Sequence, residues 1–138
     1  MKLPQSLNGS QCEQLCGRWG ISPELAVRLL ELASRWNERF GAVGGLMITS
    51  GYRTREEQEE LERAGRPAAQ DRLSTHRSCP ATGADLQLPV AADDYIKAEF
   101  GRLVILSGLR WGGGSPVDAR GVPSDWNHVD LGPRAISS

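Results

Sequence analysis

The chain carries only two histidines, His76 and His128, each in an unusual context. His76 follows Ser74-Thr75, and His128 closes the run Asp125-Trp126-Asn127-His128. Asp85 is the only acid between Asp71 and Asp93, and it follows Gly83-Ala84 at the head of an apolar stretch. Two imidazoles and one carboxylate make a three-ligand set with a fourth tetrahedral position free for water. That is the form of a catalytic zinc site rather than a closed structural one. Spacing alone leaves an ordinary reading open, because histidines this far apart in a chain are commonly surface or hydrogen-bonded residues. Cys79, near His76, is an alternative thiolate ligand. No His-Glu-x-x-His helix is present, so the commonest zinc-peptidase signature is absent.

The elements that must position these residues are legible from periodicity and caps. Ser22 can cap a helix, Pro23 suits its first position, and Glu24 suits the positive end of its dipole. Leu25, Leu29, Ala33, Trp36 and Phe40 then recur at three- and four-residue steps, and Gly41 is a natural stop. Leu46 to Thr49 reads as a short strand. Thr54 and Glu57 form a capping-box pattern that opens a second helix ended by Gly65, and its charged middle, Glu56 to Arg63, belongs on the surface. A loop is expected from Arg66 to Gly83 and a strand from Ala84 to Leu88. Asp93 and Asp94 open a third helix, with Tyr95, Ile96, Phe100, Leu103, Val104 and Leu106 as core residues and Gly108 as its end. After the Gly112-Gly113-Gly114 run, a loop leads to Ser124 and a last strand covers Trp126 to Leu131. Residues 1–21 read as a polar extension with Cys12, Leu15 and Trp19 as anchors, and 133–138 as a frayed tail. The expected fold is one α+β domain over 1–138, with two or three helices packed on a small, mainly antiparallel sheet.

Read together, Ser50-Gly51-Tyr52-Arg53-Thr54, Ser74-Thr75-His76, Gly83-Ala84-Asp85, Trp111-Gly112-Gly113 and Asp125-Trp126-Asn127-His128 occur in an order that resembles the zinc D-Ala-D-Ala carboxypeptidase family. That family includes VanY-like D,D-carboxypeptidases and the L-alanyl-D-glutamate endopeptidases of phage endolysins, and the hedgehog signalling domain shares its fold. The resemblance runs from about Leu25 to Gly132. It implies Zn²⁺ held by His76, Asp85 and His128, with Asp125 as the catalytic acid and Arg53 facing the substrate. Between His76 and Asp85 stand residues 77–84, two more than the family usually has, which a bulge near Cys79-Pro80 would absorb.

The remaining candidates carry two readings each. Arg53 stabilises an oxyanion or clamps a substrate carboxylate, or else forms a surface ion pair. Asp125 takes a proton from water, or else caps a turn; it must precede the last strand, since residues three apart on a strand point to opposite faces. Ser74 and Trp126 are candidate substrate contacts, although Trp111 and Trp126 equally suit packing. Asp130, two after His128, either orients that imidazole or makes a solvent-facing salt bridge.

Composition narrows the partners. Of 138 residues, 39% are hydrophobic and 24% charged, so a core is expected and wholesale disorder is not. Lys plus Arg is 16 and Asp plus Glu is 17, which argues against a nucleic-acid partner. No apolar run suits membrane insertion, and Met1 to Gly9 shows no signal peptide. Three cysteines argue against a disulfide framework; Cys12 and Cys16, four apart, could pair or share a helical face, and reduced thiols in a chain made in the cytoplasm are the favoured reading. The expected function is a monomeric zinc peptidase cutting an amide bond of peptidoglycan stem peptides, of phage or prophage lytic type. It would act on the cell wall from the periplasm, after lysis, or from a virion. The alternative is a catalytically inactive module that binds zinc or a wall peptide, or a virion structural component.

Overall fold

The apolar stripe after Ser22 forms the helix its spacing predicts. In the computed structural model, which describes residues 5–7, 12–41, 45–64, 75–77 and 80–132, helix α2 spans Pro23–Phe40 and follows α1, Cys12–Trp19. The Ser22 Oγ accepts from the Leu25 amide at 3.1 Å, satisfying one of the donors a helix start leaves unpaired. Gly41, at φ 85°, ends α2 with its amide on Asn37 O at 2.8 Å, a conformation that favours glycine. Leu25, Leu29, Ala33 and Trp36 are buried, and the Phe40 ring lies 4.3 Å from that of Trp36 between centroids.

Helix α3 covers Arg55–Arg63. The Glu57 amide donates to Thr54 Oγ1 and the Thr54 amide to Glu57 Oε1, both at 3.2 Å, the reciprocal capping box expected. Helix α4 covers Asp94–Leu106, capped by Asp93 through the Ile96 amide at 2.8 Å. Phe100, Leu103 and Val104 point inward, but Tyr95 and Leu106, expected in the core, are 60% and 50% exposed. At 3.6 residues per turn they sit about 120–140° round the helix from Phe100. Their apolar character had suggested burial that their angular position does not allow.

Five antiparallel strands form one sheet in the order β1-β2-β3-β5-β4. They are β1 Gln5–Ser6, β2 Met47–Ser50, β3 Gly83–Gln87, β4 Arg110–Trp111 and β5 His128–Asp130. The fold is therefore α+β, as expected. The last strand is shorter than predicted because 124–127 forms a turn, with the His128 amide on Asp125 O at 3.0 Å. Alternation divides the central strands cleanly. Ala84, Leu86 and Val129 enter the core shared with the helices. The intervening Gly83, Asp85, His128 and Asp130 lie on the opposite face, with Asp85 paired to His128 and Gly83 to Asp130.

The first 21 residues are more than a polar extension. Leu15 and Trp19 of α1 are buried and β1 pairs with β2. At the end of α1 the chain clamps two loops: Trp19 O accepts from the Tyr52 amide at 2.7 Å, and Gly20 O from the Ala81 amide at 2.8 Å. The composition of this stretch is polar overall, and only the four-residue step from Leu15 to Trp19 marks its buried side. Cys12 and Cys16 are free thiols on α1. Ser74, Cys79 and 133–138 lie outside the described residues, and among the described residues no helix is long and apolar enough to cross a membrane.

Replacing Trp19 with Ala should cost about 3–5 kcal/mol of stability, measured by urea unfolding. A cost below about 1 kcal/mol would mean that the N-terminal helix is not part of the cooperative core.

Candidate metal centre

The central strands bring together three side chains that are far apart in the chain. Asp85 on β3 lies between Ser50 of β2 and His128 of β5. His76 comes from the turn at 75–77, held by its own carbonyl accepting from the Arg53 amide at 2.7 Å and by Thr75 O accepting from the Thr82 amide at 3.0 Å. His76 Nε2 is 3.1 Å from His128 Nδ1 and 3.4 Å from Asp85 Oδ1, and His128 Nδ1 is 3.1 Å from Asp85 Oδ1. A tetrahedral ion about 2.0–2.1 Å from its ligands would separate them by about 3.3–3.4 Å. The triangle thus has the size of three corners of such a tetrahedron, and His76, Asp85 and His128 could hold a metal ion.

The outward atoms of each ligand are also held. His76 Nδ1 is 2.6 Å from Gly51 O. A carbonyl only accepts, so Nδ1 carries the proton and Nε2 turns a lone pair inward. His128 Nε2 lies 2.8 Å from Asp130 Oδ2 and 3.2 Å from Thr75 Oγ1. Asp85 Oδ2 accepts from Arg53 Nη2 at 3.2 Å, which leaves Oδ1 for the centre. Two glycines let the walls close in. A Cβ on Gly83 would stand 1.9 Å from Thr75 Oγ1, and one on Gly113 would stand 2.7 Å from the His128 ring.

The electrostatics follow from burial against charge. Burial alone would raise the Asp85 carboxyl, but His76 and His128 hold it well below the usual carboxylate range. Burial disfavours a charged His128, yet its hydrogen bonds to Asp130 and Asp85 push its pKa up to about 9. Asp130 is fully buried, and His128 and Arg110 hold its carboxyl low against that burial. Those contacts favour a proton on His128 Nδ1, between Asp85 Oδ1 and His76 Nε2, when no cation lies among the three atoms.

Asp125 sits in the turn before β5, as its position three residues ahead of His128 requires. Its amide donates to Ser115 Oγ at 3.1 Å. Burial and the charge of Asp85 push its carboxyl up, while His128, His76 and Arg53 pull it down. It stands outside the ligand triad, and among the described residues its carboxylate has no hydrogen-bond or ion-pair partner.

Arg53 is 7% exposed and reaches a ligand, Asp85, a contact the motif did not assign. Trp126 is half-buried, its ring edge-on to Phe100 at 6.3 Å and under the Lys97 ammonium at 5.1 Å. Trp111 packs against Gly101, and its Nε1 donates to Trp126 O at 2.7 Å. Asp130 takes the orienting role rather than the solvent-facing one. Thr75, Gly51 and Gly113 were not foreseen. All three lie inside named motifs, but nothing in their spacing marks the atoms they contribute.

Elemental analysis should find about one divalent ion per chain after metal is supplied, lost in both His76→Ala and His128→Ala. Because the ion must displace a proton from His128, affinity should fall about tenfold for each pH unit below about 9 and level off above it. Competition with a chelator across pH 6–10 measures this, and a flat profile would contradict it.

No protein-family model matches the chain, and no curated protein matches it. The chemistry of the site therefore rests on its own geometry.

Proposed function

We propose that the chain is a zinc-dependent peptidase that hydrolyses an amide bond in peptidoglycan stem peptides, on a fold of the hedgehog and D-Ala-D-Ala-peptidase kind. The observation that carries this reading is a closed triangle of two imidazoles and one carboxylate with an unpartnered, partly buried carboxylate, Asp125, beside it. A structural site would need a fourth protein ligand, and among the described residues none joins the group. The nitrogen and oxygen donors suit zinc better than calcium or magnesium. The five motifs, in their order along the chain, point to the same family and hence to wall peptides.

A zinc ion held by His76, Asp85 and His128 would supply Lewis acidity, polarising a substrate carbonyl and acidifying water. The rest of the chemistry belongs to the chain. Asp125 accepts a proton from the attacking water and returns it to the leaving amine. An aspartate is one methylene shorter than a glutamate, so the turn must carry its backbone close to the centre. Ser115 holds it there, accepting from the Asp125 amide while donating to Gly112 O at 2.7 Å. Arg53 occupies the second oxygen of Asp85, so that ligand presents one oxygen. Ser74 and Trp126 remain the candidate contacts for the stem peptide. An enzyme of this kind, made in the cytoplasm, would reach the wall after lysis or from a virion.

The test is digestion of purified peptidoglycan by the zinc-loaded protein, with masses of the products. Loss of terminal D-Ala or cleavage between L-Ala and D-Glu is the expected product pattern. Asp125→Ala should lower the rate about 10²–10⁴-fold with zinc still bound. If the loaded parent releases nothing from any wall preparation but still binds wall fragments, the protein is a binding module and the peptidase reading fails.

A further inference from the structure

Asp130 is fully buried, and its acceptor positions are filled. Oδ1 accepts from Arg110 Nε and from the Gly132 amide, both at 2.8 Å. Oδ2 accepts from Arg110 Nη2 at 2.9 Å and lies 2.8 Å from His128 Nε2. Arg110 belongs to the edge strand β4 and stands directly opposite Asp130 in the register. A two-pronged guanidinium contact fixes the plane of a carboxylate as well as its charge.

We propose that Arg110 is a positioning residue for the metal centre: it holds Asp130 in the one orientation that keeps the His128 proton on Nε2 and the Nδ1 lone pair turned toward His76 and Asp85. This rests on the metal site and not on the peptidase reading. Thr75 Oγ1, the other neighbour of Nε2 at 3.2 Å, is a hydroxyl that can donate or accept, so it leaves the tautomer undecided. With an ion among the ligand atoms, Asp85 Oδ1 no longer asks His128 Nδ1 for a proton, and Asp130 decides the tautomer, because a carboxylate only accepts. A carboxylate free to turn would lose the alignment of that bond, and Arg110 removes the freedom. The ladder between β4 and β5 thus reaches the centre through two side chains, neither of them a ligand.

Asp130→Asn should reverse the tautomer. Two donors, Arg110 Nε and the Gly132 amide, meet the Oδ1 position and one, Arg110 Nη2, meets Oδ2, so the amide oxygen settles at the former and the NH₂ falls beside His128 Nε2. His128 then accepts at Nε2 and carries its proton on Nδ1, on the metal's side. Arg110→Met keeps the carboxylate but frees it to rotate.

The experiment is a zinc titration of the full chain against a competing chelator, with NMR of the imidazole protons in the zinc-loaded state. Asp130→Asn should bind zinc about 10–100-fold more weakly, and Arg110→Met about tenfold more weakly. The parent should show a deshielded, slowly exchanging His128 Nε2 proton, moved upfield in Arg110→Met. A folded Asp130→Asn chain that binds zinc within about twofold of the parent overturns the proposal. Should that variant not fold, Arg110→Met decides: unchanged affinity with an unmoved Nε2 proton overturns it, and weaker binding with the upfield shift supports it. No substrate enters the titration, so failure of the peptidase reading would show separately, as absent digestion with normal zinc binding.

Discussion

Asp85 and His128 face each other across the ladder between β3 and β5. Side chains on a strand alternate between faces, so a slip of one residue in this pairing would move a ligand to the wrong side of the sheet. The same slip would take Val129 or Ala84 out of the core, where both are fully buried. Hydrophobic burial on one face therefore fixes the ligand geometry on the other. The candidate metal site needs no separate device to set its register.

Burying charge beside that ladder demands compensation, and the surrounding contacts supply it. Asp85 is met by the two imidazoles and by Arg53, and Asp130 by His128, Arg110 and the Gly132 amide. Removing one partner from such a group would leave a desolvated charge unanswered, which costs far more than the pair contributes. Asp125 is the exception, partly buried with no partner among the described residues.

The scaffold is continuous with the site at its back. Trp19 O holds the Tyr52 amide, and the neighbouring Gly51 carbonyl orients His76. A Cβ on Gly51 would stand 2.5 Å from Trp19 O, so this approach depends on the absence of a side chain. The glycines at 83 and 113 do the same around Thr75 and the His128 ring. Helix α1 and the loops after β2 and β4 are thereby tied into one packed unit around the ligands.

Local chemistry settled much of this from the residues alone. Ser22, Thr54 and Asp93 announced three helix starts, because a cap is read within three residues of itself. The apolar steps of α2 named its buried face, and the rarity of histidine and of acids near Asp85 made those three residues candidate ligands, which the order of the motifs then favoured. Sequence order also placed Asp125 in a turn ahead of β5. What it left open was every contact that spans the fold: that His76 and His128 meet at 3.1 Å across 52 positions, that Arg53 serves Asp85 across 32, and that Arg110 serves Asp130. It also left open that a polar N-terminal stretch would pack as a helix, and that Tyr95 and Leu106 would face water. Short-range periodicity carries no information about which strands become neighbours. That choice is made by the burial of the whole apolar surface at once, and only the assembled sheet decides it.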